Sequence, residues 1–236
     1  MSLPPIKGFI PNTLIDWEGR VAAEIFLSGC NFRCPFCHAS HLVRGDDAET
    51  IPFHAVLRQI ESERKWLDGV IISGGEPTLH PTLDALCGEF KDAGFAVKLD
   101  TNGSRPEVLS RLINGGLIDF VAMDVKAALD ERYGKAAGVE VDVERINASL
   151  ALLAGDGVSG CELRTTVVPT LHEYEDLEDL ARQLPAGVDW VLQPFEPHNC
   201  LDPAFNELKP FPRDDLLEWV ERLRETRRCR LRGHFD

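Results

Sequence analysis

The chain alternates two hydrophobic rhythms, and that alternation restricts its possible folds more than any other feature. Short apolar runs rich in β-branched residues fall at 21–27, 70–72, 95–99, 120–123, 163–168 and 190–192. Most lack polar alternation, as expected of strands buried on both faces of a parallel sheet. Between them the period changes to that of a helix. Val56, Leu57 and Ile60 share one face, and Leu83, Leu86, Cys87 and Phe90 form a stripe opened by Pro81 and closed by Gly94. Val108, Leu109, Leu112 and Ile113 lie between Pro106 and Gly115. Proline in the first turn and glycine just past the last is the asymmetry of helix ends. Three more stripes follow, at Val143, Ile146, Leu150 and Leu153, at Leu177, Leu180 and Leu184, and at Leu216, Leu217, Val220 and Leu223. Six strand–helix units predict an α/β fold with a parallel sheet, either a partial (β/α)6 TIM-like barrel or a doubly wound sheet. In both, ligands gather at the carboxyl ends of the strands.

A chain of 236 residues suffices for one full-sized core. We read it as a single domain, 1–236, with a core at about 20–196 and a C-terminal helical extension at about 197–236. With 44% hydrophobic and 27% charged residues it has the balance of a soluble globular protein. No apolar run reaches bilayer length and residues 1–9 do not form a secretory signal, so the expected location is cytoplasmic, without a membrane contact. A net charge of -14 argues against nucleic acid. Arg222, Arg224, Arg227, Arg228, Arg230 and Arg232 crowd near the C-terminus. The run reads as a solvated helix face, with a docking surface for an acidic partner as the alternative.

Three of the seven cysteines, Cys30, Cys34 and Cys37, fall on one loop after the first predicted strand, spaced C-x3-C-x2-C. In a reducing compartment such crowding points to metal chemistry. Three thiolates can hold three corners of a four-iron cubane and leave one iron open to an outside ligand. A zinc site would need a fourth ligand, for which His38 or His41 is at hand, but the expectation is one cluster and no structural zinc. Cys87, Cys161 and Cys229 read as small apolar residues. Cys200 and His198 share a loop beyond the sixth strand, where His198 reads as a surface residue. His54, His80, His172 and His234 belong to no motif.

The other strand ends are polar as well. The second ends in Ser73-Gly74-Gly75-Glu76-Pro77, where two glycines permit close approach to a ligand and Glu76 can accept from an ammonium group. The third ends in Asp100-Thr101-Asn102-Gly103 and the fourth in Met123-Asp124-Val125-Lys126. These carboxylates suit ribose hydroxyls or a cation, or else cap the turns that follow. Arg164 lies within the fifth strand, where a buried arginine needs a partner. Gln193 and Pro194 end the sixth.

The cysteine spacing, with Phe36 before the last cysteine, resembles the signature of the radical S-adenosylmethionine superfamily. The resemblance implies one 4Fe-4S cluster on Cys30, Cys34 and Cys37. It also implies S-adenosylmethionine on the open iron and reductive cleavage to methionine and a 5′-deoxyadenosyl radical. The Gly-Gly-Glu-Pro stretch resembles that family's motif for the methionyl amine. Carried over residue by residue, the resemblance places Phe36, His38, Gly74, Gly75, Glu76, Pro77, Asp100, Asn102, Asp124, Lys126 and Arg164 around the cofactor. Lys126 would meet the methionyl carboxylate. It further implies a sodium or potassium ion on Asp100, Thr101, Asp124 and the carbonyl of Ala122.

Residues 6–20, followed by Phe26-Leu27-Ser28-Gly29-Cys30, look like glycyl-radical-enzyme activases. They are most similar to the longer form of the anaerobic ribonucleoside-triphosphate reductase activating protein. The chain departs from that pattern at Glu18, where the family reads proline, and at Ala39, where it often reads asparagine. What this implies is a radical installed on a glycine of a partner enzyme, anaerobic ribonucleotide reductase, with flavodoxin or ferredoxin as electron donor. No cysteine occurs between His38 and Ser73, so no ferredoxin-like insertion is expected. The alternatives are a radical enzyme acting on a small molecule, such as a deazaguanine-forming or cofactor-maturing one, and a cluster-bearing or zinc-binding protein without enzymatic activity.

Overall fold

The computed structural model describes residues 2–44, 49–155 and 157–233, so His234 lies outside the described residues. Among these, eight strands form one sheet whose spatial order follows the chain. They are β1 (Ile6–Thr13), β2 (Ala22–Leu27), β3 (Gly69–Gly74), β4 (Ala96–Thr101), β5 (Phe120–Asp124), β6 (Gly160–Val167), β7 (Asp189–Pro194) and β8 (Cys229–Leu231). Strands β2 to β8 run parallel, and β1 pairs antiparallel to β2. Because β1 and β8 do not pair with each other, the sheet is an open, partial barrel.

The six predicted strands are β2 to β7. The expected six-stranded count is corrected by an edge strand on each side. β1 carries Pro11, which an edge strand accommodates because one row of its amides has no ladder partner. The helices are α1 (Ser40–Arg44), α2 (Phe53–Ser62), α3 (Leu83–Asp92), α4 (Pro106–Asn114), α5 (Glu131–Ala137), α6 (Val143–Leu153), α7 (Tyr174–Gln183) and α8 (Arg213–Leu223). None is long and apolar enough to cross a membrane.

Leu83, Leu86, Cys87 and Phe90 of α3 and Leu109 and Leu112 of α4 are buried together with Val70, Ile72, Val97 and Leu99 of the sheet. This layer between sheet and helices is the apolar core. Other strand positions carry buried charge instead: Glu24 on β2, Lys98 and Asp100 on β4, and Glu162 on β6.

The arginine run is only in part a solvated face: Arg222, Arg224 and Arg228 are exposed, while Arg227, Arg230 and Arg232 are half-buried. It runs through β8 to the residue after it, bringing Arg230 and Arg232 over the buried Glu162. Arg230 Nη2 lies 3.0 Å from Glu162 and 2.6 Å from Glu18, and Arg232 Nη2 lies 2.6 Å from Glu162. Arg227 donates to the Val188 carbonyl at 2.8 Å, and Arg222 stacks 3.5 Å from the centre of the Tyr174 ring. A buried carboxylate requires paired cations, and the run supplies them. The C-terminal segment is therefore not wholly helical: it adds a strand to the sheet.

Candidate active site

The carboxyl ends of the strands line a cavity of about 120 Å³. Its wall includes Cys30, Cys34, Cys37, Phe36, Gly74, Gly75, Asp100, Thr101, Asn102, Asp124, Lys126 and Arg164. The fold thus brings residues from five strand ends to one place, as the rule for parallel sheets requires. His38, Glu76 and Pro77 are not part of this wall.

The cysteine loop is braced by backbone and side chain. The Gly29 amide donates to Leu42 at 2.7 Å, and the Arg33 amide donates to Ala137 at the end of α5 at 2.8 Å. Arg33 Nη1 turns back onto the carbonyls of Cys30 and Phe32 at 2.6 and 2.8 Å. The His80 ring meets the Ser28 carbonyl at 2.9 Å. Asn31 donates to Ser104 at 2.9 Å and accepts from Asn102 at 3.0 Å, tying the loop to the end of β4. His172, also without a motif, is buried with its Nε2 2.8 Å from the Lys126 carbonyl.

Burial raises the thiol pKa of all three cysteines, that of Cys34 to about 12. The Lys126 ammonium opposes that rise at each of them. All three are free of disulfides. Among the described residues, their sulfurs do not gather closely enough to share a single ion, whereas His38, Glu196 and His198 do. Three free thiols lining one cavity are the donor set of a cubane cluster with one iron left to an outside ligand.

Across the cavity a ladder of alternating charge crosses three strands and their ends. Lys98 Nζ lies 2.7 Å from Asp100 Oδ1, and Arg164 Nη1 lies 2.6 Å from Asp100 Oδ2. Arg164 Nε donates to Asp124 Oδ1 at 2.8 Å, and Lys126 Nζ lies 3.0 Å from Asp124 Oδ2. Burial alone would raise the pKa of both carboxyls, but Arg164 with Lys98 or Lys126 outweighs it and holds both below the usual range. The two carboxylates do converge, and the positive charge between them is the Arg164 guanidinium.

Glu76 departs from its expected part. It is fully buried, and its Oε1 accepts from Thr101 at 2.8 Å, from the Thr78 amide at 3.1 Å and from the Thr78 hydroxyl. Its Oε2 accepts from the Asn102 amide at 2.6 Å. The carboxylate thus ties β3 to β4 instead of facing a ligand. The two glycines likewise approach the chain itself: a Cβ on Gly75 would lie 2.1 Å from the Gly29 carbonyl, and one on Gly74 2.2 Å from that of Leu27. The amides of Gly75 and Glu76 donate to those same two carbonyls at 2.8 Å each. Pro77 is buried and opens a short 3-10 turn.

Sequence reasoning missed Glu24, Lys98 and Asn31. Glu24 and Lys98 could have been found, because each is a charge inside a run otherwise apolar on both faces.

A fold of this kind, with three thiols at one strand end and polar groups at the next four, defines a class. The family model of the radical SAM superfamily matches residues 25–184. The chain belongs to the radical SAM superfamily, whose members use a 4Fe-4S cluster and S-adenosylmethionine. It is 36% identical over 220 residues to a Methanocaldococcus jannaschii protein provisionally named a glycyl-radical enzyme activating enzyme, covering 90% of this chain and 88% of that one. It is 29% identical over 156 residues to the 7-carboxy-7-deazaguanine synthase of Neisseria meningitidis serogroup B, covering 66% of this chain and 65% of the relative. Among solved structures it resembles Streptococcus suis SuiB bound to S-adenosylmethionine, with a TM-score of 0.65 at 16% identity. That likeness, which concerns the fold alone, covers 87% of this chain and 48% of SuiB.

Proposed function

We propose that the chain is a glycyl-radical-enzyme activase. The observation that carries the reading is the near full-length likeness to the archaeal protein of that name. The unclosed sheet supports it, since a partner's peptide loop needs an open route to the strand ends. A 4Fe-4S cluster on Cys30, Cys34 and Cys37 would supply the electron that cleaves S-adenosylmethionine to methionine and a 5′-deoxyadenosyl radical, and the hydrogen atom that radical takes would come from a glycine Cα of the partner. Anaerobic ribonucleotide reductase is the partner proposed, and flavodoxin or ferredoxin the electron donor.

The chain's own residues bind and orient. Cys30, Cys34 and Cys37 hold the cluster. With the amides of Gly75 and Glu76 engaged, the carbonyls of the Ser73–Gly75 turn are what that turn offers a ligand's ammonium group. Lys126 faces the cavity with one ion pair and has further donors for a carboxylate. Asp100 and Asp124 retain lone pairs for hydroxyls, and Phe36 supplies apolar wall. Arg164 replaces a monovalent cation between the two carboxylates. The rate of S-adenosylmethionine cleavage is therefore expected to be the same in potassium, sodium and a bulky organic cation at equal ionic strength. Dependence on one alkali ion would restore the metal.

The test of function is anaerobic. Reconstituted protein, reductant and S-adenosylmethionine are mixed with a candidate reductase bearing a C-terminal glycyl-radical motif. The expected results are 5′-deoxyadenosine and a glycyl radical doublet in the partner's electron paramagnetic resonance spectrum, both abolished by Cys30→Ala, Cys34→Ala or Cys37→Ala. Cleavage without a radical on the partner would favour the second reading, a small-molecule substrate, which the likeness to the deazaguanine synthase motivates.

A further inference from the structure

Beside the cavity, and outside its wall, three potential metal ligands meet. His38 follows the last cluster cysteine, whereas Glu196 and His198 lie on the loop after β7. Their ligand atoms all lie within 4.8 Å of one another. Glu196 Oε2 is already 3.7 Å from His198 Nε2, and the two imidazole rings are 4.8 Å apart, centre to centre. In a tetrahedral site with bonds of about 2.0–2.1 Å, ligand atoms stand about 3.4 Å apart. The two loop side chains, 42% and 58% exposed, are free to close that difference by rotation.

The loop itself is anchored. The Asp202 amide donates to Pro35 in the cysteine loop at 2.9 Å, the His198 amide donates to the Glu196 carbonyl at 3.0 Å, and Asn206 accepts from Cys200 at 3.0 Å.

We propose that His38, Glu196 and His198 form a site for one borderline divalent cation, zinc or a neighbouring first-row ion, separate from the iron–sulfur cluster. Two imidazoles and one carboxylate are the donors such ions prefer, and three protein ligands leave at least one coordination position for water or an outside group. An ion here joins the turn that carries Cys37 to the loop after β7, so it fixes one rim of the cavity. The proposal does not rest on the activase reading.

The reconstituted holoprotein is equilibrated with micromolar zinc, desalted, and measured for zinc and iron per chain. Zinc-edge X-ray absorption then reports the ligands. One zinc beyond the cluster iron is expected, with nitrogen and oxygen neighbours at about 2.0–2.1 Å and no sulfur. His198→Ala and Glu196→Gln change exposed side chains, so they are expected to keep the full iron content while binding zinc more than about tenfold more weakly. Absence of bound zinc, sulfur scattering at about 2.3 Å, or unchanged zinc binding in the double variant would each overturn the site.

Discussion

The side chains of Glu76 and Glu24 show how burial redirects an acid. Glu76 accepts four hydrogen bonds and ties the end of β3 to the end of β4. Glu76→Ala strands several buried donors, so a loss of about 2–4 kcal/mol is expected in a denaturant melt. Glu76→Gln, which keeps an accepting oxygen, is expected to lose less. Unchanged stability with weakened S-adenosylmethionine binding would instead restore the direct contact. Glu24 has its carboxyl pushed up from 4.5 to about 8, by burial first and then by Asp100 and Asp16, against the pull of Lys98 and Ser73. Between these values the folded chain holds a proton that the unfolded chain lacks. Stability from this group is full below the lower value and is lost as pH rises through the upper one. The melting temperature of the wild type is therefore expected to fall more steeply than that of Glu24→Gln between about pH 5 and pH 8. Parallel curves would show that Glu24 ionises normally. The three cysteines were legible because their spacing is itself the chemistry. The tasks of Glu76 and Gly75 were not, because a motif shows which residues meet and not whether they meet a ligand or each other.

At the scale of elements, the six central strands and six of the helices were legible, since burial on both faces and a 3.6-residue stripe each leave a direct trace in sequence. The edge strands were not. β1 breaks its pattern with Gly8 and Pro11, and β8 has three residues with an arginine at its centre. α5 was also missed. It is short, and its use lies in its end: Gly138, with φ 66°, caps it against the cysteine loop, and a Cβ there would stand 2.0 Å from the Arg33 carbonyl. Gly138→Ala is expected to cost about 1–3 kcal/mol and to lower the iron retained per chain after reconstitution. Full iron content at reduced stability would show that the loop tolerates displacement of α5.

For the whole molecule, eight strands in sequence order leave two unpaired edges, β1 and β8, and the fold's cohesion is greatest between them. Backbone hydrogen exchange is expected to be slowest in β3, β4 and β5 and fastest in β1 and β8. Uniform protection across the sheet would contradict this gradient. The strand order has a further consequence for how the protein is made. Every strand pairs with the one synthesised just before it, so the sheet can extend from one end as the chain leaves the ribosome. The cysteine loop emerges before its supports: α5 follows only after β3, β4 and β5, and the segment that docks Asp202 onto Pro35 only after β7. The thiols thus pass through that stretch of translation without the groups that brace their loop.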